Sequence, residues 1–103
     1  MRNELTARTE ALISQLFAPE EQRHVRAMLS AECNQDALGC AGWTESDMER
    51  IWFAILKLAS EGQEIKAVAR LARTDWRDVL VQAQFATDLN AHEKWHEAVQ
   101  RLS

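Results

Sequence analysis

Apolar residues along this chain recur with the period of a helix, and no clearly periodic segment shows the alternation of a strand. The first such segment, about Asn3 to Phe17, sets Leu5, Leu12 and Leu16 along one side with Ile13 and Phe17 beside them. It ends before Ala18-Pro19, because the residue preceding a proline is driven out of the α region. Pro19 suits the first turn of a second helix, Glu20 and Glu21 complement its dipole, and Val25, Met28 and Leu29 form its apolar stripe up to about Cys33. Asn34–Trp43 holds two of the three glycines and no period, so it reads as the one substantial loop, with a helical turn at Gln35–Leu38.

Thr44 and Asp47 have the spacing of a capping box and predict a helix start. From there the run Ile51-Trp52-Phe53-Ala54-Ile55-Leu56 continues to Leu58, and Gly62 is placed to stop the helix in a left-handed turn. A fourth helix, about Glu64 to Arg73, buries Ile65, Val68, Ala69 and Ala72. Thr74 or Asp75 can cap a fifth running to Ala86 after only a slight break. The last helix, about Asn90 to Leu102, carries Trp95, Val99 and Leu102 at spacings of four and three.

These elements predict an all-α fold, a single domain over residues 1–103 built as an irregular bundle of five or six helices. The Thr44–Glu61 helix should lie at the centre with Asp75–Ala86 as its chief neighbour. Composition agrees: 3 Gly and 1 Pro in 103 residues starve turns, which excludes a β-sandwich, and the glycines match no phosphate-binding loop. A chain of this size buries enough surface to fold without disulfide, metal or cofactor.

Charge narrows the function classes. The net charge is −4, and residues 1–52 carry all of it, with five basic against nine acidic residues, while residues 53–103 balance seven against seven. Such a chain is a poor general phosphate-backbone binder. No apolar stretch approaches a bilayer span, and Glu4, Arg8 and Glu10 interrupt any signal-peptide core, so the expected location is cytoplasmic. Cys33 and Cys40 are then expected as free thiols.

His92-Glu93-Lys94-Trp95-His96 matches H-E-x-x-H, in which two imidazoles one turn apart share a zinc ion and the Glu serves the metal-bound water. The charged Lys94 and Glu97, with Val99 and Leu102 where a longer metalloprotease pattern has Gly and His, argue against that reading. A third ligand would have to come from His24, Cys33 or Cys40. The expectation is that Trp95 takes the core stripe and leaves His92 and His96 on a solvated flank, with no metal and no cofactor.

Lys66, Arg70, Arg73 and Arg77, spaced four, three and four apart, would form one basic stripe if the fourth and fifth helices are collinear. That stripe could meet nucleic acid or an acidic partner. A helix-turn-helix lacks its turn glycine, however, and its reading helix would open with Asp75 and Asp78, which repel phosphates. The serines and cysteines show no nucleophile setting.

Apolar surface in excess of one core is the remaining signal. On a helical wheel Trp76, Val79, Leu80 and Ala83 face one side of the fifth helix and Val81 and Phe85 nearly the other, while Phe53 widens the face of the central helix. Phe53, Val81 and Phe85 are therefore the expected interface of a self-associating, non-enzymatic protein-interaction module, a homo-oligomer or a partner of another protein. Nucleic-acid regulation through the basic stripe and metal-dependent catalysis through His92 and His96 are the alternatives.

The strings Thr74-Asp75-Trp76-Arg77-Asp78-Val79-Leu80-Val81, Ala91-His92-x-x-Trp95 and the E-R-I-x-F-A-x-L-K-L run of Glu49–Leu58 resemble a set of small conserved hypothetical bacterial proteins, over roughly residues 45–96. The resemblance implies a small helical protein of bacterial type and transfers no catalytic residue.

Overall fold

A computed structural model describes residues 5–102, in which six helices follow one another: α1 (Ala7–Leu16), α2 (Pro19–Glu32), α3 (Gln35–Leu38), α4 (Glu45–Ser60), α5 (Ile65–Ala83) and α6 (Ala91–Arg101). The all-α bundle expected from periodicity is what forms. Local chemistry sets the boundaries. Thr6 caps α1 by accepting from the Thr9 amide at 3.2 Å, so the helix begins later than the hydrophobic pattern suggested; Asn3 and Glu4 lie outside the described residues. Pro19 opens α2, and Thr44 and Asp47 form the reciprocal capping box of α4, each bond 3.1 Å long.

Helix α4 is the axis of the bundle. It packs against α5 along its length and against α1 and α6 on other sides, while α2 and α3 close over α5. Nine of its sixteen residues are buried, including the whole run Ile51–Leu56, because neighbours cover it on several sides at once. The Trp52 indole is sealed in by donating to the Cys33 carbonyl at 2.9 Å, which satisfies the one polar atom of a buried ring.

The break expected at Thr74 or Asp75 is present: α5 is two helical stretches that meet at a kink, where Asp75 is extended (φ −157°, ψ 86°). The end of the second stretch departs from the sequence reading. Helix α5 ends at Ala83 rather than Ala86: Gln84 takes a left-handed conformation (φ 67°), the Gln84 amide donates to Val81 O and the Phe85 amide to Leu80 O at 2.9 Å. This Schellman-type ending reverses the chain and turns Phe85 into the core.

Candidate functional site

Three surfaces carry the residues singled out by sequence. The first lies where α6 crosses α1 and α4. Arg8, on the first turn of α1, holds Glu93 of α6 with two parallel hydrogen bonds of 2.8 and 2.7 Å and reaches Glu49 of α4 at 2.6 Å. The Thr6 hydroxyl donates to the other Glu49 oxygen at 2.5 Å, and the guanidinium lies over the Phe53 ring, 5.5 Å from its centroid. One cation thus ties three helices together. Arg8 holds the Glu93 carboxyl below its ordinary range, and the two carboxylates strengthen the proton affinity of Arg8 in return.

Beneath this clamp the structure corrects the reading of the H-E-x-x-H segment. His92 is 2% exposed, not solvated: its ring packs 5.7 Å from Phe53 and 6.3 Å from Phe85, centroid to centroid. His96 is half-buried and stacks on Phe53 at 5.5 Å with the rings 16° from parallel. Residues 92, 95, 96 and 99 share a face by i, i+3, i+4, i+7 spacing, so the histidines complete an amphipathic stripe in which Trp95 and Val99 are the obvious members. Both His92 ring nitrogens lack a hydrogen-bond partner; Nε2 lies 3.4 Å from a Glu93 oxygen that Arg8 already occupies. Burial holds the His92 imidazole below its ordinary proton affinity, with Glu93 and Glu49 pulling the other way. Among the described residues no group of three or more His, Cys, Asp or Glu side chains is arranged to hold a metal ion.

The same packing corrects two of the three interface residues. Phe53 is 0% and Phe85 2% exposed, each covered by α6 of its own chain. The helical wheel misplaced Phe85 because the residue lies beyond the end of α5, and it misjudged Phe53 because α6 lies on that side of α4. Val81 alone stays outside, at 59%.

The second surface is a groove of about 620 Å3 between α1, the end of α4 and α6, lined by Gln15, Leu16, Ser60, Trp95, Val99 and Leu102. Leu102 at its lip is 87% exposed. Gln15 braces its floor by donating to the Val99 carbonyl at 3.1 Å and accepting from Gln100 at 2.9 Å. The groove continues past Leu16 and Ser60 toward Phe17 and Ile65, where Glu21 and Glu64 stand at its edge. Periodicity could not find this surface, since it is made by the ends of three helices.

The third surface is the basic stripe. Lys66, Arg70, Arg73 and Arg77 are all exposed, but the break at Asp75 interrupts their register. Arg73 pairs with Glu32 of α2 at 2.6 Å, and Arg77 lies over the Trp76 ring at 4.9 Å. Trp76 meets Trp43 edge-on at 4.7 Å, above a small pocket that Asp47, Arg50 and Leu80 complete. Cys33 and Cys40 are free and buried; burial pushes the Cys33 thiol up to about 12 and raises Cys40 as well, so neither is an activated nucleophile. His24 is exposed on α2. No helix among the described residues is long and apolar enough to cross a membrane. Comparisons with family models, with curated proteins and with solved structures find no match to this chain.

Proposed function

We propose that the chain is a non-enzymatic protein-interaction module that self-associates through the groove between α1, the end of α4 and α6. The observation that carries this reading is the groove itself: Leu16, Trp95, Val99 and Leu102 line one concave surface, and an 87% exposed leucine stands at its lip. Trp95 supplies the large, half-exposed aromatic that interface centres favour. The chemistry-bearing side chains support binding rather than turnover. Arg8, Glu49 and Glu93 are spent on one another, and the two thiols are held protonated. Free buried thiols also support a reducing, cytoplasmic setting.

Sedimentation equilibrium at micromolar concentration tests the reading. A dimeric mass that falls to monomeric in Leu102→Glu, with Val81→Glu unchanged, is the expected result. A monomeric mass for the unaltered chain overturns it, and a dimer broken by Val81→Glu but not by Leu102→Glu moves the interface to α5.

A further inference from the structure

His92 is a group that the interaction reading does not use. It is an ionisable side chain, 2% exposed, with neither ring nitrogen hydrogen-bonded, wedged by α6 against Phe53 and Phe85. A neutral imidazole tolerates such a place, whereas an imidazolium loses its hydration and finds in exchange only a Glu93 oxygen 3.4 Å from Nε2 that Arg8 already holds.

The surrounding charges do not rescue it. Arg8 approaches from α1, Glu49 and Arg50 from α4, and Glu93 from α6 itself. Two cations and two carboxylates already balance there, and both carboxylates are bonded to Arg8. Lys57 of α4, balanced by Glu61 at 3.0 Å, stands over the far ring, Phe85, at 5.9 Å, and Arg50 donates to the Phe85 carbonyl at 2.6 Å. His96, one turn along α6, stacks on the Phe53 ring at 5.5 Å. A proton on His92 therefore puts an excess cation into a neutral cluster.

The element that can yield is α6. Of its eleven residues only His92 and Val99 are buried, against nine in α4. Its polar ties include the Arg8–Glu93 fork, whose side chains are 39% and 36% exposed, and the Gln15 contacts at its far end.

We infer that α6 is an acid-released latch: protonation of His92 undocks α6 and uncovers the Phe53–Phe85 face while α4 and α5 stay folded together. In its docked position the imidazole binds its proton more weakly than the ordinary 6.5. An undocked helix therefore takes up a proton that the docked one refuses. The docked state holds its full advantage above about pH 6.5 and loses it as the pH falls toward the docked-state value. Released, α6 exposes two phenylalanines that are enclosed while it is docked. The inference stands apart from the groove, since it concerns a helix within one chain.

Amide hydrogen exchange on the full chain, at about pH 7.5 and about pH 5.5 and corrected for intrinsic rates, tests it. Protection of the α6 amides should fall at the lower pH, by at most about tenfold for one titrating group, while the interior of α4 keeps its own. His92→Leu, which fills the site without a charge, should abolish the difference. The inference is overturned if α6 protection is independent of pH, if α4 loses protection in step with α6, or if His92→Leu keeps the acid response. Should that variant fail to fold, NMR titration of the His92 ring in the unaltered chain decides: a midpoint below 6.5 supports the latch, and one at or above it overturns the latch.

Discussion

Helices α4 and α6 both cover the core, by opposite means. Helix α4 buries nine residues, all but Glu49 apolar, and its polar ends are closed by a capping box and by the left-handed turn at Gly62. Helix α6 buries one histidine and one valine, begins without a side-chain cap and depends on a shared arginine. The first arrangement draws on the hydrophobic effect, which has no pH dependence of its own; the second draws on charges that titrate. A small bundle can in this way hold one helix permanently and another conditionally. The contrast also explains why Phe53 can be fully enclosed on a helix face that looks, from the sequence, like surplus apolar surface.

The largest effect should come from the seam where the two helices meet. Phe53→Ala removes a ring that touches Trp95, His92 and His96 and lies under Arg8, and leaves a cavity that α4 is too well packed to collapse. A loss of about 3–5 kcal/mol in urea denaturation is expected. A loss under about 1 kcal/mol would mean that α6 is not docked as described and that the contrast between the helices is mistaken.

Most of the fold was legible because its signals are local. The Thr44–Asp47 box, Pro19 at the start of α2, the turn at Gln35–Leu38 and the stop at Gly62 each involve residues within a few positions of one another. The site was less legible because it is assembled over long separations. Glu49 and Glu93 lie 41 and 85 residues from Arg8, and no spacing rule connects them. Glu93 was visible only as the middle of a metal-like motif, and its true partner is a cation at the other end of the chain. The end of α5 was missed for a different reason: its left-handed residue is Gln84, where a glycine would have announced the turn. The spacing of residues 92, 95, 96 and 99 was a usable sign that the histidines face inward, outweighed by their polarity.

A smaller effect is expected on breaking the clamp that ties the conditional helix to α1 and α4. Arg8→Met leaves Glu49 and Glu93 without their shared cation, and Glu49 is nearly buried. Because the guanidinium is partly exposed, solvent screens the loss to about 1–2 kcal/mol. The pH dependence has a definite sign. Arg8 lowers the folded-state proton affinity of Glu93, so its contribution is present above the ordinary 4.5 and is lost as the pH falls through the lowered value. The variant lacks that contribution, so the gap between the two proteins in urea midpoint should be widest near neutral pH and close in acid. A gap that widens in acid would show that Glu93 is not held by Arg8.

The smallest effect belongs to the junction between the permanent and the conditional parts. Gln84 is the sole non-glycine residue with positive φ among the described residues, and its turn sends Phe85 inward before the chain reaches α6. A side chain in the left-handed region costs about 1–2 kcal/mol, and glycine avoids that cost at the expense of a more flexible unfolded chain. Gln84→Gly should therefore stabilise the protein by a net ~0.5–1 kcal/mol, raising the melting temperature by a few degrees for a domain of this size. The gain should be the same at neutral and acid pH, because no titrating group takes part in the turn; its two hydrogen bonds join backbone amides of Gln84 and Phe85 to the carbonyls of Val81 and Leu80. Thermal melts at the two pH values check this. A destabilised variant would mean that Gln84 contributes through its side chain, and a gain limited to acid would mean that the turn belongs to the latch rather than to the permanent core.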